Sequence, residues 1–319
     1  MPGPEINQLC HKISGGDRLA LSRAITLVES TQQQHQKQAL DLLKVCQEKA
    51  IQSKRIAISG SPGVGKSTFI ESLGLMLVNR GLKVAVLAID PSSHDSGGSI
   101  LGDKTRMPSL SKHPLAFVRP SPNAGKYGGI GHATFDAVAL CEVAGYEVIF
   151  IETVGIGQSE IEARHTSDLF ALLLQPGSGD ELQGIKRGIM EVADLLIINK
   201  HDGRLAESAS TLKQHIQPIW REKHPDIPVM SCSSVNQTGI EQIWTQMELL
   251  LERMPLVDNR LTAKLFWYRQ RVQSSLTSVL EQHYGKSIQA NEDEILKGNM
   301  HYLEAVEQVV DEMKKDLDV

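Results

Sequence analysis

The feature that most constrains this chain is IAISGSPGVGKSTFIESL, residues 56 to 73. Ile56, Ala57 and Ile58 end a short apolar run with the look of a buried strand. Phe69, Ile70 and Leu73 then begin a helical stripe, and between them Gly60 to Ser67 fit the pattern G-x-x-x-x-G-K-S/T. A strand, a glycine-rich turn and a helix N-terminus in that order direct successive backbone N–H groups at one oxyanion. Glycine at 60, 63 and 65 permits the bend without a Cβ clash. Lys66 is expected to meet the β- and γ-phosphates and Ser67 to offer its hydroxyl to Mg²⁺. The alternative, a glycine-rich surface turn beside a stray lysine, leaves this joint agreement of motif and flanks unexplained.

Seven apolar runs, RIAIS, KVAVLAID, LAFVRP, EVIFIET, LFALLLQ, DLLIINK and IPVMSCS, alternate with helical patterns from about residue 54 to 254. That alternation predicts parallel strands with crossover helices. The fold expected is α/β, a P-loop NTPase with a mostly parallel central sheet flanked by helices and with N-terminal and C-terminal helical extensions. Residues 1–53 form the first extension, with helical spacing in DRLALSRAITLVES and KQALDLLKVCQEK separated by the polar run TQQQHQKQ. Residues 255–319 form the second, in which Leu261, Leu265, Tyr268, Val272, Leu276 and Val279 recur at steps of three and four before a last helix around Leu303, Val306 and Val310. These helices either pack on their own domain or make an arm for dimerisation.

The chain has 319 residues, of which 41% are hydrophobic, enough to bury a full α/β core. A formal charge of −5 argues against nucleic acid or an acidic membrane surface as a partner held by bulk electrostatics. Cys10, Cys46, Cys141 and Cys232 are scattered and form no CxxC, so four separate thiols are expected rather than a disulfide framework or a zinc site. The opening MPGPEINQLC resembles neither a signal h-region nor a transit helix, and no apolar run approaches a membrane span. The expectation is a cytoplasmic protein.

The base is read from NKHD, residues 199 to 202, after the run LLII. In an NKxD loop the aspartate accepts from guanine N1–H and the exocyclic amine, a pair of donors adenine lacks. Alone, such a string is usually a surface turn. Here it follows the right strand downstream of a phosphate loop, and SCSSVNQTG supplies a second base loop with Ser233, Ser234 and Val235. The nucleotide set is therefore Gly60, Ser61, Pro62, Gly63, Val64, Gly65, Lys66, Ser67, Thr68, Asn199, Lys200, Asp202, Ser233, Ser234 and Val235, with GTP or GDP as ligand. Asp90, at the end of KVAVLAID, and Glu152, in ETVG, are expected to join Ser67 at Mg²⁺, directly or through water. ETVG resembles a DxxG switch with glutamate for aspartate. Ile156 follows Gly155 where many small GTPases carry a water-orienting glutamine, which predicts slow intrinsic turnover. The catalytic set is Lys66, Glu152 and Asp103, the last either reaching the attacking water or metal from SGGSILGDKTRM or serving as a turn residue.

The strings GSPGVGKST, AIDPSS, GGSILGDKTRM, RPSP, AGYEVIFIETVGIGQSE and GSGDELQGIKRGIMEVAD followed by NKHD resemble the ArgK/MeaB family across nearly the whole chain. GDELQGIK is particular to that family. The resemblance implies a homodimeric GTPase chaperone of adenosylcobalamin-dependent methylmalonyl-CoA mutase. GTP hydrolysis would gate loading, protection or reactivation, with adenosylcobalamin held only through the partner mutase. It also implies that Gln175 to Lys186 form an extra switch loop facing the mutase, with Asp180, Glu181, Gln183 and Lys186 as its polar contacts. The bland alternative for that loop is a strand-to-helix connection with Asp180 as cap.

The chain departs from the family where HDSGG follows DPSS, bringing in His94 and Asp95, and where Ala124, Gly125, Lys126 and Tyr127 replace the usual glycine-rich string. A metal reading of His94 and Asp95 is weaker than that of a solvated pair. Two other functions find less support in the residues. A metal-inserting GTPase chaperone would need clustered Cys and His ligands that the scattered cysteines do not supply. A kinase or ATPase linked to basic amino-acid transport would need an acceptor site that no motif declares.

Overall fold

The computed structural model describes residues 3–30, 32–90, 107–122, 129–153, 160–177 and 187–316. Three helices come first, α1 (Pro4–Ser14), α2 (Arg18–Glu29) and α3 (Gln33–Cys46). The sequence pattern led to the expectation of a helical preface from about residue 17, and α1 lies ahead of it. Its apolar Ile6, Leu9, Cys10 and Ile13 stand at helical spacing, and Pro4 occupies its first turn, where no N–H is required. The run TQQQHQKQ, read as a divider, lies mostly inside α3, because glutamine and lysine are good helix formers whose side chains can stay in solvent. Asp17 sets the entry of α2 by accepting from the Leu19 and Ala20 N–H groups at 2.9 and 3.0 Å.

The strands are β1 (Lys54–Gly60), β2 (Val84–Asp90), β3 (Ala116–Pro122), β4 (Val148–Glu152), β5 (Leu169–Leu174), β6 (Leu195–Ile198) and β7 (Met230–Ser231). Each falls on one of the apolar runs identified in the sequence. Together they form a seven-stranded sheet of order β3-β2-β4-β1-β5-β6-β7, with every pairing parallel. The chain leaves β1 for β2 on one side of β4, yet leaves β4 for β5 on the far side of β1. The carboxyl ends of β1, β4 and β5 therefore flank a crevice of the kind that binds ligands in open parallel sheets.

The remaining helices are α4 (Lys66–Asn79), α5 (Gly129–Val143), α6 (Glu160–Thr166), α7 (Arg187–Val192), α8 (Ala206–Lys223), α9 (Ile240–Arg253), α10 (Leu256–Leu296) and α11 (Tyr302–Asp316). Alternate residues of each strand feed two cores. Ile56, Ile58, Val86, Phe150 and Leu173 pack with α4 and α9 on one face. Ala57, Leu87, Ile151, Phe170 and Leu172 pack on the other with α1 to α3, α5 and α8. The N-terminal helices thus complete one layer of the sheet domain. Cys10 and Cys46, expected as separate thiols, are joined by a disulfide between α1 and α3. The packing of α1 against α3 brings together two cysteines 36 residues apart, a proximity that spacing along the chain could not reveal. Cys141 and Cys232 are free and buried.

Two compact units divide the chain, Met1–Trp267 and Tyr268–Val319. In the second, Asn291 Nδ2 donates to the Ala305 carbonyl at 3.2 Å and Tyr284 Oη to Asp316 at 2.9 Å, tying α11 to α10.

A buried charge cluster holds the amino-terminal edge of the sheet. Arg55 of β1 makes a fork to Glu142 of α5 at 2.8 and 2.7 Å, and Arg260 of α10 makes one to Asp168 at 2.7 and 2.6 Å. Ser53 donates to Glu142, and the Arg55 N–H donates to Asp168. Asp168 is only 1% exposed, so a lost partner leaves a charge with little water to replace it. Arg260→Ala is expected to cost ~3–5 kcal/mol, read as a lower urea midpoint with unchanged slope.

Candidate functional site

The site lies at the carboxyl edge, where β1 turns into α4 through Gly60 to Gly65. Gly60, Gly63 and Gly65 have φ of +149°, +80° and +96°, all on the side of the map that L-residues avoid. At two of them contact adds to conformation. A Cβ on Gly60 would lie 2.5 Å from the Leu173 carbonyl oxygen, and one on Gly65 2.7 Å from Asn199 Nδ2. Gly65 caps α4 in the left-handed conformation and so aims the first N–H groups of that helix, from Lys66 onward, into the turn. Val64 is buried beneath the loop, whereas Pro62, Gly63 and Thr68 are exposed and Ser61 is half-buried.

Lys66 is buried, with its Nζ donating to the Gly60 and Ser61 carbonyls at 2.8 and 3.2 Å. Ser67 Oγ donates to Glu152 Oε1 at 2.7 Å, bringing hydroxyl and carboxylate to one point between α4 and the end of β4. Thr153, next along, donates through Oγ1 to Ser59 Oγ at 2.9 Å and locks the ends of β4 and β1 together. Asp90 closes β2, two places from Glu152 on the neighbouring strand by the pairing of Ala88 with Glu152. An all-oxygen donor set of hydroxyl and carboxylate is of the kind that suits Mg²⁺.

NKHD leaves β6 on the other side of the loop. Asn199, 2% exposed, donates through Nδ2 to the Val64 carbonyl at 3.0 Å. Its Oδ1 accepts from Ser234 N–H at 3.2 Å, Ser234 Oγ at 2.7 Å and Cys232 Sγ at 3.5 Å. One amide thus joins the phosphate loop, the end of β6 and the loop after β7. Lys200, with φ of +60°, reaches the Gly63 carbonyl at 2.6 Å. Asp202 accepts a short hydrogen bond from Ser233 Oγ. Ser233 and Ser234 are buried, while Val235 is 77% exposed at the rim.

The structure therefore brings together Gly60 to Thr68, Glu152, Asn199, Lys200, Asp202 and Ser233 to Val235. Asp103, Asp180, Glu181, Gln183 and Lys186 lie outside the described residues, as do His94, Asp95, Ala124 to Tyr127, Gly155 and Ile156.

Sequence reading missed two supports. Ser72 of α4 donates to the Ser234 carbonyl at 2.5 Å, binding the helix after the phosphate loop to the loop after β7. Its signal was a serine on the apolar face between Phe69, Ile70 and Leu73. Cys232, treated as an ordinary thiol, sits beneath Asn199. Burial pushes its thiol up to about 12, so it remains a neutral donor to the amide.

Fold and site define a P-loop GTPase with helical extensions. The family model for the methylmalonyl Co-A mutase-associated GTPase MeaB matches residues 21–285, and the chain belongs to that family. The GTPase ArgK of Escherichia coli is 44% identical over 243 residues, 73% of this chain and 72% of that one. The methylmalonic aciduria type A homolog, mitochondrial, of Mus musculus is 42% identical over 302 residues, 87% of this chain and 72% of its own. Among solved structures, one described as an LAO/AO transport system kinase has TM-score 0.72 and 28% identity, with 98% of this chain and 99% of that chain covered.

Gly65 and Gly63 offer a matched pair of probes, because both have positive φ but only Gly65 faces a fixed neighbour. Gly63→Ala, with open space around it, is expected to lower stability by ~1–2 kcal/mol. Gly65→Ala must also displace Asn199, whose amide is held on both sides, and is expected to cost more than Gly63→Ala in urea titrations of the nucleotide-free protein.

Proposed function

We propose that this GTPase is a chaperone of adenosylcobalamin-dependent methylmalonyl-CoA mutase, its GTP cycle gating cofactor loading, protection or reactivation. The observation that carries the reading is the match of the mutase-associated family model across residues 21–285, in a chain whose phosphate loop is bonded to its NKHD loop. Adenosylcobalamin belongs to the partner in this reading.

Each residue then has a task. The N–H groups of the loop from Gly63 to Thr68 surround the β- and γ-phosphates, and Lys66 exchanges its two carbonyl partners for phosphate oxygens. Ser67, Glu152 and Asp90 would hold Mg²⁺, directly or through water. The ion, when bound, neutralises charge developing on the β- and γ-phosphate oxygens. Asp103 reaches the attacking water or the metal. Asp180, Glu181, Gln183 and Lys186 carry the phosphate state to the mutase. Ile156 orients no water, so the free protein turns over slowly and the partner accelerates it.

Exposure along α10 supports a homodimer. Within the second unit Tyr268, Val272, Leu276 and Val279 are between 40% and 65% exposed, an apolar stripe too regular for a solvated face. A second copy of the chain is the occupant proposed. No helix among the described residues is long and apolar enough to cross a membrane; the cytoplasmic location is part of the proposal.

Asp202 is the proposed guanine reader, with Ser233 holding its carboxylate in place. Asp202→Asn is expected to weaken GDP binding by roughly tenfold or more, the loss of charge-assisted hydrogen bonds. Xanthine nucleotides, which present a carbonyl where guanine has an amine, should then be preferred in competition titrations. Equal affinity of the unaltered protein for ATP and GTP would sink the assignment.

The mutase reading is tested by gel filtration of this protein with a candidate methylmalonyl-CoA mutase in GDP and in a nonhydrolysable GTP analogue. Complex formation that differs between the two nucleotides is expected. No complex in either state removes the mutase as partner.

A further inference from the structure

The ammonium of Lys200 has a second partner whose position follows from the strand order. β5 lies between β1, which opens the phosphate loop, and β6, which delivers Asn199 and Lys200. In register, Gly60 pairs with Leu173 and Leu174 pairs with Ile198. The next residue, Gln175, therefore leaves the sheet between the two nucleotide loops. Its Oε1 accepts from Lys200 Nζ at 2.8 Å, while the Gly63 carbonyl accepts from the same nitrogen at 2.6 Å.

We propose that Gln175 is a positioning residue that braces Lys200 against the phosphate loop and so slows nucleotide release. The brace is needed because Lys200 holds a left-handed backbone, φ +60°, which a lysine adopts at a cost, and because its stem must span from one loop to the other. An ammonium has three protons and no acceptor. With one bond to Gly63 alone, the side chain keeps much of its rotamer freedom, and ordering it falls on the nucleotide. With Gln175 as a second fixed acceptor it is ordered in advance. The acceptor is a neutral amide oxygen, which holds the lysine while leaving its charge intact. Gln175 is half-buried, so water replaces that bond imperfectly.

The proposal rests on the reading of NKHD as the base loop, and the two are separable. Release of a fluorescent GDP analogue is followed by stopped flow in the full-length protein, with Gln175→Met removing the acceptor at nearly constant length. Release is expected to quicken by roughly ten- to a hundredfold, as for loss of a hydrogen bond to a charged group. The single-turnover rate of bound GTP should change by less than about twofold, since the bond is made equally before and during the chemical step. Gln175→Glu, which restores an acceptor, should return release toward the original rate. In a Lys200→Met background, Gln175→Met should add nothing, because its only route to nucleotide is then gone.

Equal acceleration in both backgrounds, or no rescue by glutamate with melting temperature preserved, would overturn the proposal and assign Gln175 to packing. Asp202→Asn, measured beside these, reports on the base loop by itself. Guanine preference retained in that variant would remove the NKHD reading, whereas the Gln175 and Lys200 coupling is judged only by the release rates.

Discussion

The approach of Asn199 to the phosphate loop is the contact on which the arrangement at the carboxyl edge depends. Its amide gives one end to the Val64 carbonyl and takes three donors at the other, so the loops after β1, β6 and β7 share one planar group. That closeness is possible only because Gly65 presents no Cβ to it. A buried amide satisfied at both ends is costly to rotate, since any turn leaves polar atoms without partners. The phosphate loop and the loops after β6 and β7 are therefore held in a fixed relation to one another.

The two edges of the sheet use polar groups differently. At the amino edge, Arg55, Glu142, Asp168 and Arg260 form ion pairs that meet each other's needs and join β1, α5 and the first turn of α10. At the carboxyl edge the partners are carbonyls, hydroxyls, the Asn199 amide and the carboxylates of Glu152 and Asp202, and Lys66 donates to two backbone carbonyls. Charges fully matched within the protein stabilise it.

The helix α10 begins within the first compact unit and continues into the second. Its first turn is held by Arg260, and Trp267 donates through Nε1 to the His165 carbonyl of α6 at 3.1 Å, while Phe266 stacks on the His165 ring with centroids 4.0 Å apart. α6 is the helix that follows the ETVG segment. His165 of α6 thus meets the early part of the long helix through Phe266 and Trp267.

Much of this architecture was legible in the sequence because its signals are local. Apolar runs of strand length located all seven strands, and the G-x-x-x-x-G-K-S turn and NKHD stand at the strand ends expected of them, since glycine conformation and strand-end placement are properties of short segments. The first helix escaped because four apolar residues behind a proline are a thin pattern, and TQQQHQKQ misled because polarity marks exposure and not the absence of helix. Tertiary structure alone decided which residues meet across the fold. Strand order put Gln175 beside Lys200, packing joined Cys10 to Cys46, and Ser72 found the Ser234 carbonyl 162 residues away. A sequence specifies the conformation of each turn through sterics within a few residues, whereas a contact between distant segments exists only after burial of the apolar faces has chosen the order of the strands.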